Sequence, residues 1–64
     1  MSVGDNIKQI LSEKGISAYK LSKEGQVSNS YLSEIISNEK TNPSINILKK
    51  ISKTLGVSVN DLIK

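Results

Sequence analysis

Sixty-four residues without a cysteine or a histidine make one domain, near the lower size at which a single apolar core holds a chain together unaided by disulfides or metal. The same absences remove the thiol and imidazole on which most nucleophilic, acid–base and metal-assisted catalysis depends, so no enzyme, cofactor or metal is expected. Nine lysines, no arginine and six carboxylates leave a net charge of +3, a mild bias toward a polyanionic partner that must be read without the usual bidentate partner of guanine.

Met1 is followed by Ser2, Val3, Gly4 and Asp5 rather than by a basic region and a long apolar run, and no stretch is long enough to span a bilayer. A cytoplasmic protein with no membrane role is therefore expected. The first predicted helix runs near Gly4 to Lys14, with Val3, Ile7, Ile10 and Leu11 at three- and four-residue spacings and Gly15 placed for a left-handed end.

From there a pattern repeats. A serine is followed four residues later by a leucine at Ser17/Leu21, Ser28/Leu32, Ser44/Leu48 and Ser58/Leu62. Serine at a helix start accepts from an orphaned backbone N–H, and the leucine one turn in can fold back on an apolar residue before the cap, here Ile16, Val27 and Val57. Pro43 stiffens the approach to Ser44 instead. The predicted helices are Ser17 to Glu24, Ser28 to Ser37, Ser44 to Leu55 and Ser58 to Ile63, with Asn38 and Gly56 as left-handed ends.

Strand signals are absent, so the fold class is all-α, a compact five-helix bundle over residues 1–64. Leu32, Ile35 and Ile36 are assigned to the core from helix three, and Ile45, Leu48, Ile51 and Leu55 from helix four. The wheel of helix three then turns Ser30, Ser33, Glu34 and Ser37 outward, with Asn29 and Tyr31 on the flanks: a short, polar face with no lysine.

Only Gly25, Gln26 and Val27 separate helix two from helix three, a spacing suited to the helix-turn-helix of DNA-binding proteins, over about 17–37, and equally to an ordinary helical hairpin. Five segments in order and at matching spacing add to this: IKQ at Ile7 to Gln9, EKG at Glu13 to Gly15, VSNSYLSEI at Val27 to Ile35, TNPSI at Thr41 to Ile45 and LGVSVNDLI at Leu55 to Ile63. Together they resemble the Cro/cI-type (XRE) helix-turn-helix repressors, with a lambda-repressor-like fold, and within these the SinR-like regulators.

The resemblance implies that Ser28 to Ser37 is a recognition helix, with Asn29, Ser30, Ser33 and Glu34 reading bases. Their chemistry suits the task, since asparagine can pair with adenine, serine can donate or accept, and a carboxylate can accept from cytosine. Phosphate contacts are implied around Ser17, Ala18 and Tyr19, at Ser28 and Tyr31, and through Asn38, Lys40, Thr41 and Asn42. Lys20 and Lys23 fit either phosphate contact or plain solvation, and Lys49, Lys50 and Lys53 fall away from the duplex.

Four departures stand out against the family pattern. Ala18 replaces a phosphate-binding glutamine, Ser22 a small apolar residue, and Gln26 a turn glycine, a strain that Gly25 could relieve by shifting the turn. Leu11 and Ile36 together replace a buried ion pair with hydrocarbon.

The expected function is a sequence-specific DNA-binding regulator of bacterial or phage origin, a repressor acting as a homodimer on an inverted repeat of double-stranded DNA. Val59 and Ile63 are candidates for its dimer surface or, alternatively, for closing the monomer's own core. A competing reading is a protein-interaction module of the antitoxin or antirepressor type, and a regulatory protein partner is compatible with both. The segment that SinR-like regulators carry after this domain does not follow Lys64, so the sequence suits a minimal regulator or a piece of a longer one.

Overall fold

Five serines open five helices in the computed structural model, which describes residues 2–64. Ser2 caps α1 (Val3–Lys14), Ser17 caps α2 (Ala18–Gly25), Ser28 caps α3 (Asn29–Ile36), Ser44 caps α4 (Ile45–Leu55) and Ser58 caps α5 (Val59–Ile63). Each hydroxyl accepts the backbone N–H three residues on, which satisfies one of the donors that a helix start leaves without a partner. Ser2 falls outside the serine–leucine pattern because the fourth residue after it is Asn6, a buried amide. In α5 the cap is reciprocal: Asp61 Oδ2 accepts the Ser58 N–H at 3.1 Å.

Helix ends follow the same local logic. Gly15, Gln26, Asn38 and Gly56 all have positive φ, between 55° and 71°. The turn does not shift onto Gly25 to spare Gln26. Gly25 stays in the last turn of α2, buried at the crossing with α4, where an added Cβ would lie 3.1 Å from Thr54 Oγ1. Packing thus fixes Gly25, and Gln26 takes the left-handed conformation at φ 55°.

α1 packs on α3 and α5, and α2 packs on α3 and α4, which also meets α5. Ile7, Leu21, Leu32, Ile35, Ile51 and Leu62 are completely buried between them, each stabilising the fold by roughly 1.5–3 kcal/mol relative to exposure. Leu11, Val27, Leu48 and Leu55 complete the core, and Ile36 packs against it from one side.

Ile45 departs from expectation. It is 55% exposed, and Ile47 packs partly against the core in its helix. Side chains lean toward the N-terminal end of a helix, so that of the first residue of α4 overhangs the end of the element instead of reaching inward. Ser22, also at a crossing, is buried and donates its hydroxyl to the Tyr19 carbonyl at 2.7 Å. It thereby fills an apolar position without an unsatisfied polar atom.

Candidate nucleic-acid interface

The link between α2 and α3 is held from inside. Gln26 and Val27 donate their backbone N–H groups to the Lys23 and Ser22 carbonyls at 3.4 and 3.0 Å, and the Val27 side chain is buried in the core. With Leu32 and Ile35 also buried, α3 has only one rotation open to it. Asn29, Ser30 and Ser33 are exposed along it, and Glu34 is half-buried. The outer face is therefore short-chained and without a cation, as the wheel requires.

The exit from α3 is organised on one oxygen. The Glu34 carbonyl accepts the backbone N–H groups of Glu39 and Lys40 at 2.9 and 3.0 Å, together with the Ser37 hydroxyl at 3.3 Å. The chain thus turns back at the end of α3. Lys40 is brought back over α3, with its Nζ 5.6 Å from the centre of the Tyr31 ring. A matching pair forms on α2, where Lys23 Nζ lies 5.5 Å from the Tyr19 ring centre. Both tyrosines of the chain thus hold a lysine ammonium over a ring face, an attraction of about 0.5–1 kcal/mol at exposed sites.

The remaining expected phosphate contacts lie at the starts of α2 and α3 and in the loop between α3 and α4. Ser17 and Tyr19 are exposed at the start of α2, while Ala18 is half-buried and packs against the core. Ser28, Thr41 and Asn42 are exposed. Asn38 differs from these, because its carboxamide is already engaged within the fold. Its Oδ1 accepts the Ser2 hydroxyl at 2.6 Å, and its Nδ2 donates to Asp5 Oδ1 at 3.3 Å. The Asn38 amide, followed by Ser2, holds the Asp5 carboxyl below its ordinary value.

That cluster has no counterpart in the sequence reading: Ser2-x-x-Asp5 marks a helix start, and nothing local points to Asn38. Val59 is half-buried against the core, while Ile63 is 49% exposed. Two surface grooves lie elsewhere. One, between α1 and α5, is lined by Gln9, Ile10, Glu13, Val57 and Asp61; the other, between α2 and α4, by Glu24, Gln26, Lys50, Lys53 and Thr54. Among the described residues no group of acidic side chains is placed to hold a metal ion, and no helix is long and apolar enough to cross a membrane.

Residues 7–62 match the helix-turn-helix family. The chain is 48% identical over 61 residues to the HTH-type transcriptional regulator SinR of Bacillus subtilis, covering 95% of this chain and 55% of SinR. It therefore spans about half the length of that curated relative. Among solved structures it is similar to SinR in complex with DNA, with a TM-score of 0.89 at 48% identity, covering 94% of this chain and 95% of that one. A SinR–SinI protein complex matches with the same score and identity over 94% of this chain and 58% of that one.

Proposed function

The chain belongs to the helix-turn-helix family of XRE type, and from that premise we propose that it is a sequence-specific DNA-binding regulator, a repressor, that places α3 in the major groove. The observation that carries this reading is the exposed row Asn29, Ser30 and Ser33 on a scaffold similar to SinR solved with DNA. In this reading these three and Glu34 meet base edges. Ser17, Ala18, Tyr19, Ser28, Tyr31, Lys40, Thr41 and Asn42 border the duplex backbone.

The bundle measures 21 Å in its longest direction, which spans about six base pairs at ~3.4 Å each. So short a footprint calls for two copies on an inverted repeat. The half-exposed Ile63 is offered to such a contact, with Val59 behind it closing the monomer. A protein partner is a second reading, favoured by the likeness to SinR in its complex with SinI. A cytoplasmic location in a bacterium or phage-infected cell accompanies both.

Selection from a random duplex pool followed by a salt titration tests the proposal. Enrichment of a palindromic site whose affinity falls steeply with salt supports it. If no sequence is enriched and no duplex is retained at low salt, the regulator reading fails.

A further inference from the structure

Three side chains close a ring between the start of α1 and the exit of α3. The Asp5 N–H donates to Ser2 Oγ at 3.1 Å, Ser2 Oγ–H donates to Asn38 Oδ1 at 2.6 Å, and Asn38 Nδ2 donates back to Asp5 Oδ1 at 3.3 Å. Gly4 lies beneath the ring, and an added Cβ there would run into the Ile35 carbonyl and lie 2.7 Å from Asn38 Oδ1. The absent side chain at Gly4 is thus what lets α1 approach the end of α3 closely enough for the ring to close.

Asn38 is also the residue at which the chain leaves α3, with φ at 69° and its N–H on the Ile35 carbonyl. A left-handed conformation is uncommon for a residue with a side chain. The ring holds that side chain at both polar ends, so the direction in which the next residues leave is fixed from α1. Lys40 follows two residues later, anchored by its N–H to Glu34 and by its ammonium over Tyr31.

We propose that Asn38 is a positioning residue, which through Ser2 and Asp5 holds the loop carrying Lys40, Thr41 and Asn42 against the duplex backbone and makes the start of α1 part of the DNA-binding machinery. This rests on the DNA-binding reading above. It assigns Asn38 an indirect part, since both ends of its amide are engaged within the fold and its contribution reaches phosphate through Lys40. Hydrogen bonds that close on one another strengthen together, so removing any member should undo the whole ring.

The test measures affinity for the selected duplex, below the melting temperature of every variant. Asn38→Gly keeps the left-handed turn without the amide, and Ser2→Ala opens the ring from α1. Each should weaken binding about fivefold to tenfold, the worth of a hydrogen bond or two, with base preference unchanged. Asp5→Asn keeps an acceptor oxygen and should bind within about twofold of the parent. In the parent, Lys40→Ala should weaken binding severalfold; in the Asn38→Gly background it should cost less than about twofold, because a misplaced lysine has little left to lose.

A loss in Asn38→Gly with none in Ser2→Ala would make Asn38 a direct phosphate ligand and overturn the proposal. An undiminished Lys40→Ala loss in the Asn38→Gly background would reduce the ring to a stability element, which also overturns it. If the parent retains no duplex at all, the DNA reading falls and the positioning role with it. Amide exchange at Lys40 and Asn42 in Ser2→Ala then shows separately whether the ring orders the loop.

Discussion

Asn6, buried in α1, donates its side-chain N–H to the Leu62 carbonyl of α5 at 2.8 Å, across 56 residues of sequence. The same amide reaches the Lys64 carbonyl at 3.0 Å. A five-residue helix has too few internal hydrogen bonds to persist alone. What holds it is the Asn6 amide at one end, the Ser58–Asp61 cap at the other, and the buried Leu62 between them. Asn6→Leu keeps the branched outline of the side chain and strands those carbonyls, so the expected loss is about 1–3 kcal/mol in urea unfolding. Amide exchange should accelerate in α5 and leave α2 and α3 unchanged.

Gly4→Ala tests close approach against helix propensity. In an open helix this exchange stabilises by about 1 kcal/mol. At Gly4 the new methyl meets the Ile35 carbonyl, and overpacking of that kind costs roughly 1–3 kcal/mol. The thermal midpoint should therefore fall, reversing the sign that propensity alone gives.

At Gln26 the opposite change should help. A left-handed residue with a side chain carries a strain of about 1–2 kcal/mol, while glycine loses roughly 0.5–1 kcal/mol more chain entropy on folding. Gln26→Gly should raise stability by the difference, about 0.5 kcal/mol, in chemical denaturation.

Leu11 is 7% exposed in α1, and Ile36 packs against the same core from α3. Leu11→Arg alone would bury a charge without a partner, a loss of about 3–5 kcal/mol, against a total of roughly 3–10 kcal/mol for a domain of this length. The urea midpoint should fall sharply. Leu11→Arg with Ile36→Glu should recover much of the loss, and no recovery would show that the two side chains do not meet.

On DNA, two kinds of substitution should separate. Asn29→Ala and Ser30→Ala should change which bases are selected, by about 1–3 kcal/mol per position. Lys40→Ala should weaken every duplex alike and lower the salt slope by about one. Uniform weakening by all three would place α3 wrongly.

The helices were legible because their signals are local. Ser17, Ser28, Ser44 and Ser58 lie before their leucines, and Gly15 and Gly56 sit at the ends, so caps and periodicity mark the elements within a few residues. The outward turn of Ser30, Ser33 and Ser37 followed from the rotation that Leu32 and Ile35 impose, while Glu34, turned outward by the same wheel, is half-buried. What sequence did not reveal depends on contacts distant along the chain. Asn6 reaches across 56 residues and the Ser2–Asn38 bond across 36, and nothing in local propensity encodes either. Ile45 was misplaced for a related reason, since periodicity supplies a face without saying whether a neighbour covers its first turn.

The cation-free row on α3 has a further consequence in a genome. Attraction to arbitrary DNA comes from cations against phosphate, and the exposed row Asn29, Ser30 and Ser33 adds none of it. Any such attraction has to come from cations beside the row, Lys40 among them. Occupancy of an operator is then governed by the ratio of right to wrong binding more than by tightness at any one site.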